Sequence, residues 1–239
     1  MAFFIGQNKM TDEIIKYQLV LDKIGEYFSE LNYHNQVVYG SFIERMHGFE
    51  VEPNDIDVTI VVDGEPPEPR HKTFYLGFSE LPINVEFMKR ESFEAELNSM
   101  QPKYFMCMAT AGLAKDIDMT FKKKELHEVR SCISSITSKA FDKGKKKLTV
   151  ENDYDEILGL KNLYHAFKFP CYANWFYIGD EQKEVHIRAL NNVHKMIYEI
   201  YKESTGTHAE RCAKLLEIIK PMHNALMTDF RIQFPKKVD

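Results

Sequence analysis

Apolar and polar positions along the chain follow two different periods. Over residues 12–31, Ile14, Ile15, Tyr17, Leu19, Leu21, Ile24, Phe28 and Leu31 populate mainly one side of a helical wheel. That spacing predicts an amphipathic helix, with Thr11 as its N-cap. Val37-Val38-Tyr39 reads as a short strand feeding a tight turn at Gly40-Ser41, followed by a turn or two of helix over 42–47 that Gly48 stops. Residues 55–62 alternate with period two and are rich in β-branched side chains, placing Ile56, Val58, Ile60 and Val62 on one strand face. Three prolines make 63–69 a loop, and 73–78 and 83–88 are further strands.

From about residue 91 the period changes to that of helices, expected over 92–115, 121–147, 153–178, 181–204 and 207–227. The expected fold class is α+β. A small mixed sheet with flanking helices occupies residues 1–91, and an all-helical half over 92–239 closes an active-site cleft.

Composition refines this. The chain has 239 residues, 44% hydrophobic and 28% charged, which suits a globular protein and excludes collagen, coiled coil and disordered chain. A formal net charge of -5 argues against a protein that coats nucleic acid by bulk charge. The charge is unevenly spread, however. Between Glu44 and Glu68 eight acids face one base, Arg45, whereas between Lys139 and Lys147 five lysines face one acid, Asp142. Cys107, Cys132, Cys171 and Cys212 form no CxxC pair and are expected to be reduced. No stretch approaches the ~18 apolar residues of a membrane span, so the expected location is the cytoplasm, with no membrane partner.

The charged segment contains the candidate chemistry. Asp55 and Asp57 alternate onto one strand face about 7 Å apart, at ~3.3 Å per residue. Their carboxylates suit a hard cation such as Mg²⁺ or Mn²⁺, and paired ions roughly 3.5–4 Å apart support in-line displacement at phosphorus. Gly40 lets the backbone approach a ligand closely, and Ser41 opens a helix whose N–H groups and dipole favour phosphate. Strand, Gly-Ser turn, helix and acidic strand together would hold a triphosphate and its metal.

Tyr39-Gly40-Ser41 and Asp55-Ile56-Asp57-Val58 resemble the motif of the DNA polymerase β-like nucleotidyltransferase superfamily: apolar-Gly-(Gly/Ser), a gap, then Asp-apolar-(Asp/Glu)-apolar. Arg45, Gly48 and Pro53-Asn54-Asp55 look like the Arg, Gly and Pro/Ser-Asp step of its members, with Asn54 in place of the usual Ser. The resemblance implies a third carboxylate that completes a metal site and takes the proton of the attacking hydroxyl. Glu86 in Ile83-Asn84-Val85-Glu86-Phe87-Met88 is the candidate, and Asp116-Ile117-Asp118 competes with it. More loosely, Ser138–Leu148 and Leu160–Lys168 look like two helices of the predicted nucleotidyltransferases of tailed phages, with Lys168 where Arg is commoner.

The resemblance implies transfer of a nucleoside monophosphate from an NTP such as ATP to an acceptor hydroxyl, with release of pyrophosphate. Asp55, Asp57 and Glu86 would hold Mg²⁺ or Mn²⁺. Gly40, Ser41, Arg45, Lys145, Lys161, His165 and Lys168 would bind the nucleotide, with Lys161, His165 and Lys168 at i, i+4 and i+7 forming one polar stripe. The lysine cluster tilts the acceptor toward a nucleic acid such as an RNA or tRNA end, while a protein hydroxyl and a small molecule stay open. The alternative is a non-catalytic nucleotide- or RNA-binding protein on the same fold. His208 and Cys212 have one-turn spacing but no second pair to complete a zinc site.

Overall fold

The computed structural model describes residues 2–104, 113–115, 124–179 and 181–237, with side chains from residue 14 onward except at 113–115. The fold is α+β. It divides into two compact units, Met1–Phe121 and Lys122–Asp239, so the α/β unit runs past the boundary expected at residue 91.

The first unit carries helices α1 (Ala2–Glu30), α2 (Ser41–Met46) and α3 (Arg90–Asn98), and strands β1 (Gln36–Tyr39), β2 (Ile56–Val62), β3 (His71–Phe74), β4 (Ile83–Lys89) and β5 (Leu113–Lys115). The strands form one mixed sheet in the order β3-β4-β2-β1-β5. β2 and β4 are parallel and the other pairs antiparallel. As the central strand, β2 is covered on both faces. Ile56, Val58 and Ile60 are buried on one, Thr59 and Val61 on the other. Its continuous β-branched run suits such a doubly covered position.

On the Ile60 face, Tyr33 meets Phe87 at 5.1 Å and Phe28 of α1 meets Phe74 at 5.4 Å. On the opposite face, Val37, Val61 and Met88 pack with Phe93 and Leu97 of α3 and with Tyr104. Asp57 and Glu86 lie on this second face, toward the ends where β2 and β4 begin.

Three helices of this unit end in the same way. After α1, α2 and α3, the residues Asn32 (φ 65), Gly48 (φ 91) and Met100 (φ 59) take left-handed backbone. In each case the next N–H bonds back five residues: Tyr33 to Phe28 at 2.8 Å, Phe49 to Glu44 at 3.1 Å, and Gln101 to Glu96 at 3.1 Å. These are Schellman terminations, which satisfy the last carbonyls and reverse the chain.

The third corrects the expected helix over 92–115. It stops at Asn98, Pro102 follows within the next turn, and residues 113–115 form a strand paired with β1. The strand expected at 73–78 begins earlier, at His71, and the chain turns after Phe74. Likewise α1 extends back to Ala2, so Thr11 lies inside the helix and does not cap it.

The second unit is helical: α4 (Leu126–Thr149), α5 (Glu156–Tyr177), α6 (Lys183–Glu203) and α7 (His208–Gln233). Caps fix the starts of α4, α5 and α7. Asp155 accepts from the Leu158 N–H at 3.0 Å, and Glu125 with Glu128 and Thr207 with Glu210 form capping boxes. α5 is apolar around most of its circumference, from Leu160 through Trp175, and forms the core of the unit. It crosses α4 closely because Gly144 and Gly159 face each other. A Cβ on Gly144 would stand 2.9 Å from the Gly159 carbonyl oxygen. Cys171 and Cys212 are buried free thiols, Cys132 is a half-buried one, and Cys107 lies outside the described residues. Among the described residues, no helix is long and apolar enough to cross a membrane.

Candidate functional site

The site begins with a glycine that no other residue can replace without movement. Gly40 follows β1 at φ 84, and a Cβ there would lie 2.5 Å from Oδ2 of Asp57. The carboxylate of Asp57 therefore rests directly against the Gly40 backbone, in space that any side chain would fill. Ser41 opens α2 as expected. That helix is only six residues long, however, so its aligned dipole is short and the turn offers chiefly local N–H groups and the serine hydroxyl.

Asp55 sits one residue before β2, and Asp57 lies within it opposite Tyr39 of β1 and Asn84 of β4. Both acids are half-buried. Asn84 joins them. It shares the sheet face of Asp57 by register, and its Nδ2 donates to Oδ2 of Asp55 at 2.7 Å. Its Oδ1 in turn accepts from the Thr73 hydroxyl at 2.8 Å, which fixes the amide orientation. The two aspartates thus converge on one end of one sheet face, as period-two alternation implies. Such a pair fits a divalent ion that keeps several waters and adds oxygens from a substrate phosphate.

Glu86 is on the same face but one step along, in register with Thr59. Its carboxylate takes the ammonium of Lys103 at 2.8 Å, and Glu96 of α3 takes it from another side at 2.9 Å. Lys103 also lies 4.8 Å from the ring centroid of Tyr104 and 6.0 Å from that of Tyr39. Burial works against its charge, but the carboxylates of Glu86, which it hydrogen-bonds, and of Glu96, with which it forms an ion pair, outweigh that and raise its pKa above the usual lysine value. The Tyr104 hydroxyl meets that of Thr59 at 3.2 Å, and burial raises its pKa to about 12. Burial, and then Asp57, push Tyr39 up further, so both phenols are neutral at ordinary pH.

The expected triad of Asp55, Asp57 and Glu86 is accordingly not closed around one point. Among the described residues, no three Asp, Glu, His or Cys side chains lie close enough to hold an ion. Asp116 and Asp118, the competing acids, lie outside the described residues. Arg45, in the last turn of α2, has its guanidinium 3.7 Å from Glu52, and it lines a cleft of about 530 Å³ with Tyr17, His47 and Phe49. Neither aspartate borders that cleft.

In the second unit, Lys161, His165 and Lys168 share the α5 stripe, which runs from surface to interior. Lys161 is exposed, whereas Lys168 is 4% exposed, with its ammonium 4.9 Å from the Tyr164 ring centroid. Burial lowers the His165 pKa well below the usual range, and Lys168, Lys161 and Lys143 reinforce the shift. The lysine of α4 that acts on His165 is thus Lys143. Lys145 instead acts on Cys212, and Lys147 and Lys146 pair with Asp153. His208 stacks on Tyr154 at 3.7 Å, a packing role.

The motif singles out none of Asn84, Thr59, Tyr104 and Lys103, whereas Lys143 falls in the lysine cluster of 139–147 that the charge pattern marks. Asn84 is readable all the same, because two residues before Glu86 on a strand means the same face. Lys103 carries no such signal, since only the turn after α3 brings it to the sheet.

No protein-family model matches the sequence, and no curated protein matches it. Among solved structures, a nucleotidyltransferase-like protein from Exiguobacterium sibiricum 255-15 is similar over 89% of this chain and 77% of its own, with 11% sequence identity and a TM-score of 0.32.

Proposed function

We propose that the chain is a metal-dependent nucleotidyltransferase, moving a nucleoside monophosphate from an NTP to an acceptor hydroxyl. The observation that carries this reading is the seating of Asp57 against Gly40, with Asp55 held beside it by Asn84. A glycine turn that clears space for one carboxylate of an acidic pair brings phosphate-binding backbone and metal-binding oxygens to the same point.

Asp55 and Asp57 would hold Mg²⁺ or Mn²⁺, which would draw charge from the phosphate oxygens. Asn84 orients Asp55, and Ser41 with the turn backbone contacts the triphosphate. The acceptor oxygen attacks the α-phosphorus in line. The bond to the pyrophosphate oxygen breaks, and the hydroxyl proton passes to water. Positioning and charge stabilisation supply the rate, as is general for phosphoryl chemistry. Lys143, Lys161 and Lys168 around His165 are read as contacts for a phosphate-bearing ligand, with RNA or tRNA as the favoured acceptor class.

The test incubates the protein with each α-labelled NTP, Mg²⁺ or Mn²⁺, and total cell extract. Label should move to an acceptor and Asp57→Asn should abolish transfer, a loss of at least a hundredfold, with the fold intact by circular dichroism. Full activity in metal-saturated Asp57→Asn would sink the assignment. Thermal stabilisation by Mg·NTP with label transferred nowhere would favour the non-catalytic nucleotide-binding reading.

A further inference from the structure

Lys103 occupies an unusual position for a cation. It sits on the sheet face that carries Asp57, yet it belongs to neither a strand nor a helix that the motif contains. Its neighbour Tyr104 is fully buried, with its ring 4.9 Å from Phe93 and 5.9 Å from Tyr39, and its hydroxyl 3.2 Å from that of Thr59 and 3.7 Å from Met88 Sδ. Anchored in this way, the chain delivers Lys103 to one place, between Glu86 at 2.8 Å and Glu96 at 2.9 Å. The side chains of Lys103 and Glu86 are 26% and 23% exposed, so solvent screens their pairing far less than that of a surface ion pair.

We infer that Lys103 is a built-in cation that takes the Glu86 carboxylate out of the metal site, so that the chain itself binds one divalent ion rather than two. This rests on the reading of Asp55 and Asp57 as metal ligands. Two ions roughly 3.5–4 Å apart need carboxylates that converge on both. Here the third carboxylate lies one strand step from Asp57 and is already neutralised by a fixed ammonium. An ion entering at Glu86 would have to displace Lys103, and the ammonium left beside it would repel it. Glu96 holds the ammonium from the α3 side and opposes that displacement. Lys103 is therefore a positioning residue: it sets what Glu86 can bind and touches no reacting atom.

The test counts ions, without nucleotide or turnover, by electron paramagnetic resonance of free Mn²⁺ titrated with the full chain. The wild type should bind one ion, Asp57→Asn none, and Glu86→Gln still one. Lys103→Met retains the aliphatic stem and should bind two, with the second lost again in Lys103→Met/Glu86→Gln. Two ions in the wild type, loss of the ion in Glu86→Gln, or a single ion in folded Lys103→Met would each overturn the inference and leave the nucleotidyl-transfer reading standing. No ion in the wild type would overturn both. Glu86→Gln decides the matter even if Lys103→Met does not fold.

Discussion

At the scale of single residues, Gly40 joins an unusual backbone to the seat of Asp57. Its left-handed φ of 84 and the 2.5 Å approach of Asp57 Oδ2 to its missing Cβ are separate penalties on any replacement. Gly40→Ala should cost about 1–2 kcal/mol in urea unfolding and should also lose Mn²⁺ binding, because Asp57 must move. Gly64 supplies the control, because a Cβ added there would meet nothing within 4 Å. Gly64→Ala should leave both measurements unchanged. The proximity of Gly40, Ser41, Asp55 and Asp57 is legible in the sequence because they fall within one hairpin-sized stretch. Lys103 is not, since its meaning depends on a contact with Glu86 that only the tertiary path creates.

At the scale of elements, helix ends and helix crossings decide what periodicity leaves open. The apolar spacing after residue 91 is helical well beyond Asn98, yet α3 stops there because Met100 turns the chain and buries its own side chain, at 0% exposure. A three-residue strand such as β5 has too few positions to show alternation, so its pairing with β1 is not readable from sequence. The crossing of α4 and α5 is equally specific. Gly144→Ala would press a methyl group onto Leu163 and the Gly159 carbonyl, at 2.8 and 2.9 Å, and should destabilise the protein by about 1–3 kcal/mol, measured by urea unfolding. Helix propensity alone predicts the opposite sign, because alanine is the better helix former. The measurement therefore separates packing from propensity.

At the scale of the whole molecule, burial of two histidines makes the stability of the second unit sensitive to acid. His223 of α7 packs against Phe141 and Phe167, and burial, with Arg231 adding to it, lowers its pKa to about 4. An unfolded histidine titrates near 6.5. Between those values the unfolded chain binds the extra proton, so the stability this burial allows is intact above about pH 6.5 and falls as pH drops toward 4. His165 shifts in the same direction and deepens the slope. Trp175, the only tryptophan, is buried in the second unit, so its fluorescence reports the unfolding of that unit. The urea midpoint it records should fall across this range, and His223→Leu should flatten the fall. Burial of α5 has a further consequence, for the protein's exchange with deuterated water. An amide on a helix that solvent does not reach can exchange only when its surroundings come apart, whereas the exposed edge strand β3 needs only to fray. The slowest amides of the second unit should therefore lie in α5, near Leu163 and Phe167, exchanging at the rate of its global opening and giving a direct readout of its stability.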